Sequence, residues 1–199
     1  MTHLDDALTE LLDALGPYAD DETHWSVPAG SLEWSCWETA AHIAHDLTAY
    51  AGQLAARPED DYLPMDLTVR PGTHPREVLR IITAAAGMLG STLATAGPEV
   101  RAFHWGACDP EGFEAMGVAE AMLHTYDITQ GLKVRAPKAD WLPPAGLAGV
   151  VLDRLFPEIP VADEGPVHTL LWATGRAELP GREFRGQWVW AAAREEFTP

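Results

Sequence analysis

Three polar side chains share one face of a helix that we predict around residue 45. His42, His45 and Asp46 stand at positions i, i+3 and i+4, and this spacing directs all three to the same side. Their neighbours in the chain are alanine, isoleucine and leucine, so the polar groups interrupt an otherwise apolar surface. Imidazoles and a carboxylate placed in this way suit either a buried metal site or a plain polar helix face.

A second predicted helix carries the same residue types. Glu120, His124 and Asp127 stand at i, i+4 and i+7 and also lie on one face. If the two helices turn these faces towards each other, their imidazole and carboxylate groups come about one side chain apart. Nitrogen and oxygen ligands in this arrangement suit a divalent metal ion, and three protein ligands leave one coordination position open for water or substrate.

Other interpretations of these residues stay open at this point. Glu120 and His124 form an i,i+4 pair of a kind that is common within single helices. His45 and Asp46 could belong to a solvated helix face. Asp127 could cap the following turn, or it could accept a hydrogen bond that fixes the tautomer of a neighbouring histidine.

Four long helices are predicted in the first two-thirds of the chain, and they must position these faces. Their N-terminal signals are two capping boxes, an Asp-Pro pair and a first-turn proline, at Thr2, Ser35, Asp109 and Pro75. The helices cover residues 4–15, 36–56, 75–96 and 110–131. Loops of moderate length connect them, a pattern typical of an up-and-down four-helix bundle.

The last third of the chain changes character. After several prolines, residues 145–156 can form one short helix, and residues 169–174 and 183–190 are rich in β-forming side chains, which predicts two strands. About 60 residues without disulfides or a metal seldom fold alone. We therefore predict a mainly α protein, with the four-helix bundle over residues 1–135 and a small α/β extension over 136–199 packed on it.

Charge and cysteine content narrow the class of partner and the compartment. Thirteen basic and thirty acidic residues give a formal net charge of −17, which repels nucleic acid and anionic membrane surfaces. The alanine-rich stretch 81–96 is interrupted by Gly, Ser and Thr and is too short to span a bilayer. Two cysteines and an acidic N-terminus without a hydrophobic signal core predict a reduced, cytoplasmic protein. We expect a monomer or homodimer that binds a small molecule.

Two segments of the chain resemble the signatures of a known family. Residues 34–44, W-S-C-W-E-T-A-A-H-I-A, are similar to the W-T-V-x-D-L-V-A-H-L-A signature in the N-terminal domain of mycothiol-dependent maleylpyruvate isomerases, which belong to the DinB/YfiT-like superfamily. Residues 116–128, M-G-V-A-E-A-M-L-H-T-Y-D-I, resemble its second signature, V-x-E-x-L-V-H-x-W-D-L. Trp, His, Glu, His and Asp all fall in register, and the resemblance covers roughly residues 5–132.

The resemblance implies a DinB-like four-helix bundle with a bound divalent metal, usually zinc. Carried over residue by residue, it puts the metal ligands at His42, Glu120 and His124. A further match, L-L-W-A-T-G-R ending at Arg176, resembles the L-L-x-x-x-G-R motif of the C-terminal portion and implies that Arg176 contacts an acidic substrate. His45 lies one turn beyond the matching histidine and stays outside the ligand set.

The leading functional hypothesis is an enzyme that uses a small thiol, in the resembling family mycothiol. A divalent metal would lower the pKa of the thiol, and the thiolate would attack a small electrophile in S-transfer or in cis-trans isomerisation. His45, Asp46 or Asp127 could move protons or orient ligands. The alternatives are an accessory module that binds a small molecule or metal without turnover, and metal-assisted hydrolysis of an amide or ester.

Residues near the helix starts complete the expectations. We predict that Trp34 and Trp37 pack as anchors of the bundle core. Cys108 is predicted to be exposed and reactive, and His104 and Trp105 to line the mouth of a pocket.

Overall fold

The structure is a computed structural model that describes residues 2–194 and is mainly helical. In the first part of the chain, helices α1–α3 span His3–Leu15, Cys36–Ala56 and Pro75–Thr95. Two-residue strands β1 and β2 follow at Ala102–Phe103 and Ala107–Cys108, and helices α4–α6 span Pro110–Leu132, Ala145–Leu155 and Pro166–Ala173. Two short 3-10 turns lie at Gly16–Tyr18 and Glu22–His24. The five helices that the sequence predicts are confirmed to within about two residues at each end.

Capping interactions fix where the two site-bearing helices begin. Ser35 and Glu38 form a capping box at the start of α2, in which each side chain bonds the backbone N–H of the other residue. Asp109 caps α4 by accepting from the backbone N–H of Gly112. Because the caps fix where each helix begins, they also fix which way its side chains face. His42 and Glu120 therefore point to the same side.

Helix α4 lies at the centre of the packing. It contacts α1, α2 and α5, while α2 also packs along α3. Most residues of α4 are buried, and they lie on all sides of the helix. In α1 and α3 the buried residues lie on one side only. Close approach requires glycine here: a Cβ at Gly117 would lie 2.9 Å from a Leu89 methyl and 3.2 Å from one of Leu47. The apolar core continues through α5 and α6.

The C-terminal part differs from the sequence prediction. The strand expected over residues 169–174 is wrong, because this run belongs to helix α6, which begins at Pro166 and packs on α5. A short apolar run fits a strand and a buried helix equally well, and a first-turn proline favours the helix. Residues 183–190 form no strand either. The hairpin of β1 and β2 was not predicted.

An ion pair holds the end of the described chain against α4 and α5. The Arg154 guanidinium on α5 donates to the Asp109 carboxylate over 2.6 Å and to the Ala192 carbonyl over 2.9 Å. The Ala191 amide in turn donates to the Leu155 carbonyl. These contacts place residues 186–190 beside α2 and α4, at the site described below.

Helix α3 is long and apolar enough to cross a bilayer by length and composition, with a mean hydropathy of 1.4 over an 18-residue window. Helices in the core of soluble proteins meet the same criterion. In this chain the buried face of α3 packs against α2, and its residues include Val78, Ile82 and Leu89.

Candidate metal centre

Three side chains from α2 and α4 meet at one point. Each of His42, Glu120 and His124 offers a ligand atom, and these atoms all lie within 4.8 Å of one another. Glu120 Oε2 is 3.2 Å from His124 Nε2 and 3.9 Å from His42 Nε2. The two imidazole rings stand edge to face, with centroids 5.1 Å apart. The structure therefore brings together the three residues that the sequence analysis put forward as ligands.

The Glu120 carboxylate is the best-compensated group of the cluster. Burial alone would raise its pKa, but hydrogen bonding and charge from His124, with further contributions from His42 and Tyr50, lower the pKa to about 2. The Tyr50 hydroxyl donates to Glu120 Oε1 over 3.1 Å. Glu120 is thus an anion within the fold, which is the form that a metal ion requires.

A chain of hydrogen bonds holds His124 from behind. Its Nδ1 lies 3.0 Å from Asp127 Oδ2, and the Arg176 guanidinium binds Asp127 through Nη2 at 2.7 Å and Nε at 3.0 Å. Burial alone would lower the pKa of His124, but the Asp127 and Glu120 carboxylates raise it to about 9. Asp127 thus fixes the ring orientation and leaves Nε2 facing Glu120.

Asp46 and Tyr50 extend the cluster along α2. Asp46 Oδ2 lies 3.2 Å from His42 Nε2, and burial together with the Glu120 charge raises the pKa of Asp46 to about 8. Burial lowers the pKa of His42, although the Glu120 charge opposes this shift. Tyr50 was missed in the sequence, although the spacing 42, 46, 50 repeats at four residues along one helix face and contained the signal.

His45 lies apart from the three clustered ligand atoms. Its Nδ1 is 3.3 Å from the Leu67 carbonyl oxygen and its Nε2 is 3.7 Å from Asp46 Oδ1. The ring lines two smaller cavities, of about 260 and 290 Å³, and not the cavity onto which the cluster opens. The other five predicted site residues either line the cavity or belong to the hydrogen-bonded chain of His124, Asp127 and Arg176. His45 does neither.

The cluster opens onto a cavity of about 520 Å³. Its walls include four tryptophans, at positions 34, 105, 188 and 190. Trp34 is 46% exposed and its ring centroid lies 4.7 Å from that of His42, so the prediction that it packs in the core is wrong. Trp37 is half-buried and donates from Nε1 to the Thr73 carbonyl. His104 and Trp105 line the cavity as predicted.

The tryptophans at 188 and 190 were missed in the sequence. They stand in an irregular segment, with ring centroids 5.7 Å apart, and that segment was expected to be a strand. Their placement depends on the contacts of Ala191 and Ala192 with α5. No periodic pattern near them in the chain signals a cavity.

Both cysteines are free and fully buried. Burial raises the pKa of each thiol to about 12. The prediction of an exposed, reactive Cys108 is therefore wrong: its Sγ lies 3.4 Å from the Ala192 carbonyl, inside the contact between α4 and the C-terminal segment.

Comparisons with known proteins identify no relative of this chain, so its function must be inferred from the site itself. Searches against protein-family models, curated proteins and solved structures find no significant match to this chain.

Proposed function

We propose that His42, Glu120 and His124 hold a divalent metal ion, zinc, and that the protein uses a small thiol there to attack an organic electrophile. The observation that carries this proposal is the convergence of the three ligand atoms within 4.8 Å at the wall of a 520 Å³ cavity. Two imidazole nitrogens and one carboxylate oxygen match the donor set of zinc sites that keep a position open.

The fold proposal accompanies this site. We infer that α1–α4 form a DinB-like four-helix bundle over residues 1–135, and that residues 136–199 are a C-terminal extension. The contacts of α4 with α1, α2 and α3 support the bundle, and its contacts with α5 support an extension that packs on the bundle. The resemblance of residues 34–44 and 116–128 to the two signatures supports the family proposal.

The proposed chemistry uses the protein side chains to hold groups and move a proton. A divalent metal bound by two neutral imidazoles and one carboxylate retains positive charge and lowers the pKa of a thiol placed there. Asp46 lines the same cavity, 3.2 Å from His42 Nε2. The charge of a bound metal would favour its carboxylate form, which would accept the thiol proton. The thiolate then forms an S–C bond with the substrate.

Two outcomes of that bond balance without a further reactant. In S-transfer, a leaving group departs with the electron pair of its bond to the attacked carbon and takes up the proton held by Asp46. In cis-trans isomerisation, the adduct rotates about the former double bond and the thiolate leaves again, with no net change in atoms. In both, mycothiol is the proposed thiol because the family resemblance implies it.

Asp127 and Arg176 act as positioning residues in this proposal. Asp127 orients His124 and is itself neutralised by Arg176. The structure commits Nε and Nη2 of Arg176 to Asp127 and Nη1 to the Thr174 carbonyl, so a direct contact of Arg176 with substrate stays a prediction from the sequence alone. His45, on the far side of Asp46, is assigned no step.

Metal analysis of single-residue variants tests the ligand set. We expect about one zinc ion per chain in the purified protein, loss of zinc in His42→Ala and His124→Ala, and retention in the matched control His45→Ala, which alters the same helix one turn away. Stoichiometric zinc in both ligand variants would show that the ligand assignment is wrong.

A thiol-dependent reaction separates the proposed chemistry from hydrolysis. Incubation of zinc-loaded protein with a thiol and a candidate electrophile is expected to give a thiol adduct or an isomer by mass spectrometry and chromatography. A reaction that proceeds equally well without thiol would favour metal-assisted hydrolysis. Metal binding without any reaction would favour an accessory module.

A further inference from the structure

Four tryptophans and Tyr50 give the 520 Å³ cavity a large aromatic surface. The rings of Trp188 and Trp190 meet at an interplanar angle of 60°. The Trp34 ring lies against His42 of α2. Large aromatic faces bind flat, weakly hydrated molecules by burying apolar area and by stacking. The cavity therefore offers surface to a ring and little to a strongly hydrated group.

Trp105 is held at the cavity in a strained backbone conformation. Its φ of +55° lies in the left-handed region, where a bulky residue is rare. The β1–β2 hairpin maintains this conformation, and the His104 amide donates to the Gly106 carbonyl across the turn. The indole is nevertheless 65% exposed. A strained residue that exposes an aromatic ring at a cavity is typical of a binding role.

Among the residues that the structure describes, no arginine or lysine side chain on the cavity wall is available to receive an anionic substrate. Arg176 is the one arginine or lysine among the described residues that line the cavity. Its Nε and Nη2 bind Asp127, and its Nη1 donates to the Thr174 carbonyl. Asp127 is only 3% exposed, so drawing Arg176 away would leave a buried carboxylate without its partner, at high cost.

The histidines supply no free positive charge either. Trp190 Nε1 donates to His104 Nε2 over 3.4 Å, and because an indole nitrogen only donates, His104 Nε2 must be unprotonated. In the proposed function His42 and His124 are neutral metal ligands. In the metal-free protein His124 lies between two carboxylates, so a proton that it carries is already compensated.

Negative charge, in contrast, is present in the cavity. Glu120, which is an anion within the fold, lines it beside the Asp46 carboxyl group. The chain as a whole carries a formal net charge of −17, and a field of this sign lowers the local concentration of anions. An anionic substrate would therefore meet repulsion at the entrance, and in the proposed function the Glu120 carboxylate and the thiolate would already balance the two charges of the metal.

We propose that the organic substrate is an uncharged, ring-bearing electrophile and not a carboxylate or a phosphate. This inference rests on the proposed function, in which the cavity binds the electrophile that the thiol attacks. It departs from the acidic substrate that the family resemblance implies. The ring stacks on the tryptophan walls, and the reacting carbon faces His42, Glu120 and His124. The ion pair of Arg176 with Asp127 thus excludes anionic substrates, because it occupies the arginine that could otherwise bind them.

A matched pair of probes tests the charge preference. 3,5-Dinitrobenzamide and 3,5-dinitrobenzoate share ring and shape and differ by one charge. Binding of each is measured by quenching of tryptophan fluorescence, in metal-free protein and in zinc-loaded protein with excess 2-mercaptoethanol. We expect the amide to bind at least about tenfold more tightly in both forms. Equal affinities, tighter binding of the benzoate in either form, or no binding of either probe would overturn the proposal.

A variant that adds a cation gives an independent test. Val189 lines the cavity and is 66% exposed, so Val189→Arg can be accommodated at the surface. We expect it to raise the affinity for the benzoate several-fold relative to the affinity for the amide. Val161→Arg adds the same charge at an exposed position outside the cavity lining and serves as the control. An equal gain in both variants, or none in Val189→Arg, would contradict the proposal.

The metal-free measurement keeps this inference separate from the proposed function. If the protein fails to bind zinc but prefers the amide, the substrate class stands and the metal proposal falls. If zinc binds as proposed but the benzoate is preferred, the metal proposal stands and the substrate class falls.

Discussion

The two regions that build the cavity encode their parts in different ways. Helices α2 and α4 supply His42, Glu120 and His124 from regular helix faces, where spacing in the chain translates directly into position. The segment from Thr174 to Trp190 supplies Arg176 and two tryptophans from irregular backbone that is held by distant contacts. The candidate metal ligands thus lie on regular helices, and much of the aromatic surface of the cavity lies on a separate, irregular segment.

Breaking the junction between the two regions is expected to have the largest effect. Asp127→Ala would leave the Arg176 guanidinium, whose side chain is 9% exposed, buried and without its anion. Removing one partner of a buried pair costs about 3–5 kcal/mol, and we expect this loss in the free energy of unfolding from urea denaturation. The matched control is Arg76→Ala, which breaks the exposed pair with Asp20 and should change stability little. Equal effects of the two substitutions would refute the role given to the junction.

Close packing of α4 predicts the next largest effect. A Cβ at Gly131 would collide with the Pro28 carbonyl oxygen and the Cys36 sulfur, whereas a Cβ at Gly87 on α3 would meet open space. Gly131→Ala should therefore destabilise the protein by about 1–3 kcal/mol. Gly87→Ala should stabilise it by up to about 1 kcal/mol, since alanine favours the helix. Thermal unfolding of both variants checks the contrast, which fails if the two changes share a sign.

How much the sequence predicted follows the same division. The helix bounds, the caps at Ser35 and Asp109 and the convergence of two polar faces all depend on local signals, and these predictions hold. The strand predicted over residues 169–174 is a helix in the structure. A short apolar run looks the same in a buried helix of eight residues as in a strand. Trp34 was predicted as buried because an aromatic residue at a helix start has no local signal for exposure.

Tertiary contacts explain the remaining differences at the site. The exclusion of His45 from the cavity depends on the Leu67 carbonyl, which lies 22 residues further along the chain. The pairing of Arg176 with Asp127 spans 49 residues. Periodicity in one helix does not predict contacts of this separation, so the family resemblance suggested a substrate role for Arg176 where the structure shows an internal ion pair.

The ionisation of the helix cluster predicts a pH dependence of the metal-free protein. His124 has a pKa raised from 6.5 to about 9, so its proton stabilises the folded state fully below pH 6.5, and this contribution is lost as the pH rises towards 9. The raised pKa of Asp46, about 8, acts in the same direction. Urea denaturation at pH 7, 8 and 9 should show falling stability, with a shallower slope in His124→Ala. Rising stability over this range would contradict the assignment.

The smallest effect is expected at the two cysteines: Cys36 on α2 lies against α4, and Cys108 lies against the C-terminal segment. Cys36 and Cys108 are buried, with thiol pKa values raised to about 12, so neither forms appreciable thiolate at pH 8. A chromogenic disulfide reagent should label them slowly in the folded protein and both of them rapidly in urea. Rapid labelling of one thiol in the folded protein would show that its region opens.

The central claim is that one metal ion lies between α2 and α4. A crystal structure of the zinc-loaded protein, with anomalous data collected on both sides of the zinc absorption edge, tests it most directly. The account predicts a single strong anomalous peak bonded to His42, Glu120 and His124, with a further coordination position facing the tryptophan-lined cavity. A peak bonded instead to His45 and Asp66, or no peak at the cluster in protein that carries stoichiometric zinc, would contradict it.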